Sequence, residues 1–312
     1  MKVMITGGLG GLGLNISRAF LDNGHEILVF DLDNPVNRAR RTELPPGVDV
    51  VWGDIGDAEA LRREAVRTDL ILHLAAIIPP LSEQKPDLTQ RVNVEGTRNV
   101  VQAAVSARKP LVFTSSVSVF GPTPEAKAPL HPDRNPMNGV DHYTRSKVEG
   151  ERIVAGAGID YVICRIAAAP HLDLSPARMR EMFMFPHDSR IEFVHLEDVA
   201  MALVHAAERF GQVKNRVYIL GGGRSQQFLY HDFIARLMGV TGLPCPPARK
   251  FSRTPSYLDW YDTGDSQAAL EFQNHTIDDF ARDMAALIPA WQRFLMQKLV
   301  GPLFGRLIVQ FL

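Results

Sequence analysis

Residues 1–20 read MKVMITGGLGGLGLNISRAF: a short apolar run, five glycines between positions 7 and 13, then the apolar–polar rhythm of a helix. Glycine weakens regular structure, so such a cluster marks a sharp turn or a place where another group comes close to the backbone. Val3, Met4 and Ile5 read as a buried strand, and Leu12 to Asn23 as a helix. Gly7, Gly10 and Gly13 then form a Gly-x-x-Gly-x-x-Gly turn between strand and helix. In that context the turn delivers a pyrophosphate to exposed amides at a helix N-terminus, where the dipole favours negative charge. A glycine-rich turn that binds nothing has the same pattern, so the rest of the chain must separate the two.

Glu26 to Phe30 is the next strand, and it runs into FDLDNP, with Asp31 eighteen residues beyond Gly13. A carboxylate there accepts both ribose hydroxyls of an adenosine and repels a 2′-phosphate, which favours NAD over NADP. Arg38, Arg40 and Arg41 follow. They read as a solvated charged turn; the alternative is that they soften this preference.

Strands recur at Asp69–Leu74 (DLILHL), Pro110–Thr114 (PLVFT) and Tyr161–Ile166 (YVICRI), with Val92 to Ser106 helical between the first two. Glu192 to Glu208 reads as strand then helix, and Val217 to Leu220 as a strand ending in three glycines. This alternation predicts an α/β fold, a doubly wound parallel sheet of Rossmann type with helices on both faces. The pattern loosens after Arg165, where APHLDLSPARMREMFMFPHDSR intervenes; Pro244 to Pro255 is loop-like, and two or three helices follow. The expected organisation is a dinucleotide-binding domain over 1–166, its sheet completed by about 192–222. A small interleaved C-terminal part, 167–191 and 223–312, then binds substrate.

At 312 residues the chain can bury a sizeable core, and a formal net charge of −1 gives no sign of a nucleic-acid partner. Two widely spaced cysteines, Cys164 and Cys245, fit a reducing cytoplasm rather than a disulfide scaffold. The ten histidines form no metal-binding spacing, so no metal is expected. The apolar start runs straight into the glycines, which predicts no secretory leader.

Downstream lies HYTRSKVEGER, where Tyr143 and Lys147 stand four residues apart, on one face of a predicted helix. A tyrosine exchanges protons near neutrality only if its pKa is depressed, and an adjacent ammonium favours phenolate. TSSVSVFG follows the PLVF strand and places Ser116 at a strand end, where open α/β sheets bind ligands.

Taken together, these segments resemble the extended short-chain dehydrogenase/reductases of the NAD-dependent epimerase/dehydratase type. The resemblance runs in order through TGGLGGLG (6–13), Asp31, GDI (53–55), HLAA (73–76), NVEGT (93–97), TSSVSVFG (114–121), YTRSK (143–147), FVHLEDVA (193–200) and YILGGG (218–223). It implies that Gly7, Gly10 and Gly13 line the pyrophosphate, that Asp54 and Ile55 contact the adenine, and that Ala75 and Ala76 border the cofactor. By the same resemblance Tyr143 is the acid/base and Ser116 hydrogen-bonds the reacting oxygen. Lys147 holds the nicotinamide ribose and tunes Tyr143. Asn93 is placed with the cofactor-binding residues, in a supporting role. His73 reads as a packed strand residue, and His195 with Asp198 as a structural signature. The resemblance also implies a homodimer through two helices bordering the sheet.

The chain departs from the family pattern in three places. Ser115-Ser116-Val117 stands where 4,6-dehydratases resemble one another in carrying Thr-Asp-Glu, so no acid is supplied there for eliminating water. Arg165 is followed by IAAAPHLD, without the Asn that helps nucleotide-sugar epimerases hold a sugar diphosphate. Met179, Met182, Phe183, Met184 and Phe185 either line an apolar pocket or are plain core, while Arg178, Arg180 and Arg190 are candidates to meet an anionic substrate. The third departure is the tail PAWQRFLMQKLVGPLFGRLIVQFL, which has three cations and no acid. One reading is an interfacial helix over 290–312 drawn to anionic lipid, making a peripheral membrane contact; the other is packing on its own domain or a dimer partner. The expected activity is hydride transfer with NAD at a secondary alcohol or ketone of a small hydroxylated substrate, as a net dehydrogenase or reductase. The alternatives are an epimerase that uses bound NAD transiently and a non-catalytic NAD sensor.

Overall fold

A computed structural model describes residues 1–123, 126, 128–172 and 181–305. Seven strands form one sheet: β1 (Lys2–Thr6), β2 (Glu26–Asp31), β3 (Asp49–Trp52), β4 (Leu70–His73), β5 (Leu111–Ser116), β6 (Tyr161–Ile166) and β8 (Arg216–Leu220). Their order is β3-β2-β1-β4-β5-β6-β8, and every neighbouring pair is parallel. Parallel pairing demands crossovers, so helices cover both faces and strand residues are buried on both sides. The alternation is visible within β1. Val3 and Ile5 pack into a core shared with Ile16 and Phe20 of the helix Gly11–Asp22 and with Val199 and Leu203 of the helix Leu196–Glu208. Met4 faces the opposite core, with Leu61 of the helix Ala58–Ala65 and Val100 of the helix Thr97–Ala107. The order reverses between β1 and β4, and a crevice opens at the carboxyl ends of those two strands, as such sheets require.

A smaller body sits beyond this sheet. In it β7 (Arg190–Glu192) pairs antiparallel with β9 (Gln227–Leu229). A third core, including Phe193, Tyr230, Phe233, Phe251 and Phe280, surrounds the pair. Here the structure departs from the strand expected to start at Glu192: that residue ends β7, outside the seven-stranded sheet. The cause is its carboxylate, which is buried and accepts hydrogen bonds from the amides of Gly223 (3.0 Å) and Tyr261 (2.8 Å) and from the side chain of Gln227 (2.8 Å). Satisfying those donors fixes the segment as a bridge between the two bodies. Burial raises the Glu192 pKa above the carboxylate range, although all three hydrogen bonds oppose the shift.

The helix expected over Val92–Ser106 is also more finely divided. Gln90–Gly96 winds as a π-helix and only Thr97–Ala107 is α-helical. The wide turns accompany Asn93, whose buried amide bonds both the N–H and the C=O of Ile77 (2.7 and 2.9 Å). Short polar elements went unread: β3, and the helices Pro35–Arg41 and Ala58–Ala65, which start at side-chain caps from Asn34 and Asp57.

Beneath the carboxyl end of the sheet, Arg165 on β6 and Glu151 on the helix His142–Ala155 form a bidentate buried pair (2.9 and 2.7 Å). Ser115 donates to the same carboxylate at 2.6 Å, and the Arg165 guanidinium lies 4.8 Å from the centre of the Phe120 ring. Removing one partner strands a buried charge. We therefore expect Glu151→Leu to lower the unfolding free energy by about 3–5 kcal/mol in urea titrations. The double variant Glu151→Leu/Arg165→Met should cost measurably less than that single substitution. A double-variant loss equal to the sum of the Glu151→Leu and Arg165→Met losses would mean that the pair is not coupled.

Candidate active site

The turn after β1 fits its place for steric reasons. Gly7 has φ +74°, and a Cβ there would lie 2.8 Å from the Ala75 Cα at the end of β4. At Gly13 a Cβ would run into the Gly7 carbonyl oxygen. These two positions bring the helix Gly11–Asp22 hard against the strand ends with its first turn open to the crevice. Gly10, at the N-cap, has no side chain to occupy the helix amides. The glycines not assigned from sequence also find places. Gly8 packs against Ser17 and Val29, and Gly11 lies beneath the His171 ring.

The crevice is a cleft of about 1010 Å³. It is lined by Gly7, Gly10 and Gly13 at one end, by Asp31, Asp54 and Ile55 beside them, by Ala75 and Ala76 just after β4, and by Ser116, Tyr143 and Lys147 at the other end. Residues scattered over 140 positions of sequence thus share one wall-to-wall space. Asn93 does not line it; it bonds Ile77 and the Ser146 hydroxyl (2.9 Å) and so ties the β4 loop to the helix that carries Tyr143. His73 is a packed strand residue, bonded to Thr6 (2.7 Å) and Thr97 (2.9 Å) and held neutral by burial, its pKa near 3.

Asp31 is fixed by the amides of Leu9 and Leu32 (2.8 Å each) and the Asn37 side chain (3.0 Å). Burial raises its pKa, and these bonds together with Arg40 pull the other way. The three arginines that follow separate into different roles. Arg38 pairs with exposed Asp33 and Arg41 bonds loop carbonyls, whereas Arg40 lines the cleft and donates to the Leu9 carbonyl at 3.0 Å.

At the other end, Asp141 and Thr144 form a capping box, and Glu83 accepts from the amides of His142 (3.1 Å) and Tyr143 (3.0 Å). These caps start the helix one residue before Tyr143, so Lys147 follows one turn on, on the same face. The Lys147 ammonium donates to the Thr114 carbonyl (2.9 Å) and sits 5.1 Å from the centre of the Phe113 ring. The Ser116 oxygen accepts from the Ser118 amide (3.2 Å) and hydroxyl (2.9 Å), leaving its own proton to donate, and it hydrogen-bonds the Tyr143 phenol.

The expected depression of Tyr143 is not what the geometry produces. Its ring lies deep among neighbouring atoms while one side still faces the cleft, and desolvation raises its pKa. Tyr257, approaching from the smaller body, and Asp141 reinforce the rise; only the Ser116 hydrogen bond opposes it. Lys147 is spent on Thr114. Burial pulls its own pKa down to about 8, with Glu151 resisting. The arrangement therefore presents a protonated phenol beside a hydroxyl donor and an ammonium close to its titration point. Tyr257 carries no signal in the sequence, because only the fold brings it from the smaller body to the Tyr143 phenol; of the three arginines read as a solvated charged turn, Arg40 is the one that lines the cleft.

Outside the cleft, Met182, Phe183 and Phe185 pack against the third core and Met184 is exposed. Arg190 is committed to Asp259 (2.7 Å). Met179, Arg178 and Arg180 lie outside the described residues. His195 accepts from the Glu197 amide (3.3 Å) at the start of its helix. Asp198 receives the Asn274 and His275 amides (3.1 and 3.0 Å) and so ties its helix to that distant segment.

The Lys147 environment has a consequence for stability. Unfolding restores a pKa near 10.5, so between about pH 8 and 10 the unfolded chain binds more protons than the folded one. Stability should accordingly rise with pH across that window in the wild type relative to Lys147→Met, which lacks the titrating group. Thermal melts of the two proteins at stepped pH check this; parallel pH profiles would exclude a depressed Lys147.

The family model for the NAD-dependent epimerase/dehydratase family matches residues 3–221. The chain is 32% identical over 193 residues to D-erythronate dehydrogenase of Cupriavidus necator, covering 57% of each chain. It is 29% identical over 263 residues to short-chain dehydrogenase/reductase family 42E member 1 of Homo sapiens, covering 72% of this chain and 63% of the relative. A third relative, UDP-glucose 4-epimerase of Lactobacillus helveticus, is 33% identical over 175 residues, 53% of this chain and 51% of the relative. The chain thus spans between half and two-thirds of the length of these relatives. The fold is shared with UDP-glucose-4-epimerase of Stenotrophomonas maltophila, solved with bound NAD (TM-score 0.76, 21% identity, 95% of this chain and 98% of that one). It is likewise shared with UDP-glucuronic acid 4-epimerase of Bacillus cereus (TM-score 0.77, 20% identity, 92% and 98%). With a family match running from β1 to the glycines after β8, on a seven-stranded parallel sheet, the chain belongs to the NAD-dependent epimerase/dehydratase family, whose cofactor is NAD.

Proposed function

We propose that the protein is an NAD-dependent oxidoreductase acting at a secondary alcohol or ketone of a small hydroxylated substrate. The observation that carries this reading is the convergence of Ser116, Tyr143 and Lys147 on the cleft that also holds the glycine turn and Asp31. The cleft suits the cofactor at both ends. Its open helix N-terminus meets a pyrophosphate, and Asp31 is held ready to accept ribose hydroxyls. Arg40, already bonded to a carbonyl, leaves the carboxylate in charge of that end.

When bound, NAD supplies the hydride acceptor or donor. The chain's own residues handle the proton. Tyr143, protonated at rest, gives its proton to a carbonyl oxygen in reduction and takes one from a hydroxyl in oxidation. Ser116 donates a second hydrogen bond to the same oxygen and holds it beside the phenol. Lys147 supplies positive charge on the face where phenolate forms, and its carbonyl anchor fixes that charge in place.

Two features favour net dehydrogenation or reduction over epimerisation. One is the similarity to a D-erythronate dehydrogenase; the other is the apolar run IAAAP after Arg165, where an Asn for a sugar diphosphate is missing. Epimerisation remains the second reading, supported by the similarity to a UDP-glucose 4-epimerase. A homodimer in the cytoplasm belongs to the same proposal, and sedimentation of the wild-type chain tests the dimer.

Tyr143→Phe should lower turnover by about 10²–10⁴-fold while NADH binding, followed by fluorescence titration, stays within about threefold of wild type. Unchanged turnover would remove Tyr143 from the chemistry. Screening alcohols, ketones and nucleotide sugars by NADH absorbance with product analysis should show net NADH formation or consumption. Conversion of a sugar nucleotide with no net NADH change would establish the epimerase reading instead.

A further inference from the structure

The helical segment closing the described chain wears its apolar side chains outward. Trp291, Phe294, Leu299, Leu303 and Phe304 are 66%, 63%, 50%, 71% and 55% exposed. Nowhere else along the described residues do so many large exposed apolar side chains fall within fifteen consecutive positions. The opposite side of the segment is already docked. Met296 packs against the third core, the Gln297 side chain donates to the Val240 carbonyl (2.9 Å), Arg293 donates to the Ala285 carbonyl (2.6 Å), and Gly301 is buried. With those anchors made, the segment cannot turn its apolar side inward. Such a concentration on an anchored element marks an interaction surface.

Charge decides the kind of partner. From residue 290 to 312 there is no Asp or Glu, against Arg293, Lys298 and Arg306. Lys298 falls one turn after Phe294 and Leu295, within the apolar side, and is exposed without an acidic partner among the described residues. A second copy of the chain meeting this face about a two-fold axis would bring lysine to lysine with no carboxylate of the segment between them. An anionic lipid surface has no such conflict. Aromatic and leucine side chains enter the headgroup–acyl boundary, and a long cationic side chain reaches up to the phosphates. No helix among the described residues is long and apolar enough to cross a membrane, so the contact is with the surface.

We propose that the outer face of residues 287–305 is a docking site for an anionic bilayer, lying in the interface with Trp291 and Phe294 inserted and Lys298 on the headgroups. This holds whatever the enzyme's substrate, since none of these residues lines the cleft.

The test uses the full chain with vesicles of phosphatidylcholine alone or with about 30% phosphatidylserine, at low and high salt. Flotation should recover the protein with the anionic vesicles, about tenfold less with neutral ones, with a blue shift of Trp291 emission on binding. Lys298→Glu should weaken anionic binding by about tenfold. Trp291→Ser/Phe294→Ser should abolish it while leaving solution turnover at the wild-type value. The proposal falls if the wild type does not float with anionic vesicles, or if the Trp291→Ser/Phe294→Ser variant floats as well as it does. It falls equally if sedimentation finds a wild-type dimer that this double variant dissociates, because the face would then belong to a second copy.

Discussion

One steric constraint organises the nucleotide end of the molecule: the helix Gly11–Asp22 begins with Gly13 pressed on the Gly7 carbonyl oxygen. No side chain fits between them. That contact sets the helix N-terminus at the end of β1, next to the place where strand order reverses to β4, and Gly7 in turn lies against Ala75. Asp31, one strand over, accepts the Leu9 amide from within the same turn, so the carboxylate and the loop are a single rigid unit. The loop's glycines serve backbone packing first, and the open amides follow from that packing.

The chemical end depends on a different economy, that of buried charge. Lys147, Glu151 and Arg165 lie in one low-dielectric region and are paired there: the Thr114 carbonyl takes the ammonium, Ser115 and Arg165 take the carboxylate, and only the Arg165 Nη1 is left without a hydrogen-bond partner. Glu151 is the counter-charge that keeps Lys147 from losing its proton more readily still. The same carboxylate thereby links the strand end that carries Ser116 to the helix that carries Tyr143. Burial leaves Tyr143 protonated and Lys147 an ammonium that gives up its proton more readily than an exposed lysine.

The strands that could be read in the sequence were those buried on both faces, because parallel pairing gives them continuous apolar runs such as VMI and DLILHL. β3, with a half-exposed and mixed sequence, gave no such run. The polar helices beside it are set by single caps rather than by periodicity. The π-helical turn around Asn93 was illegible for another reason: its cause is a bond to Ile77, sixteen residues earlier. The site was legible wherever its members sit at fixed offsets within one element, as with Tyr143 and Lys147. Their electrostatics were not, since the Tyr143 environment is completed by Tyr257 and the Lys147 charge is claimed by the Thr114 carbonyl on β5.

The smaller body shows how one chemical apparatus can be kept while the substrate changes. Its contacts with the sheet run through a few buried polar groups: Glu192 to the amides of Gly223 and Tyr261, and Asp259 to both Arg190 and Thr123. Thr123 stands seven residues beyond Ser116, so Asp259 holds the smaller body against the loop that follows the strand ending in Ser116. Beside this junction a cavity of about 740 Å³ is lined by Thr123, Arg190, Arg249, Ser252, Arg253 and Asp259. With Arg190 neutralised by Asp259, the cationic character of that wall comes from Arg249, in the short 3-10 turn Ala248–Lys250, and from Arg253 just after it, both exposed. Their side chains bear no part of the fold's buried network. Substitution at those two positions therefore changes what the wall offers a ligand without disturbing Tyr143, Ser116 or Lys147, whose positions are secured from the sheet side.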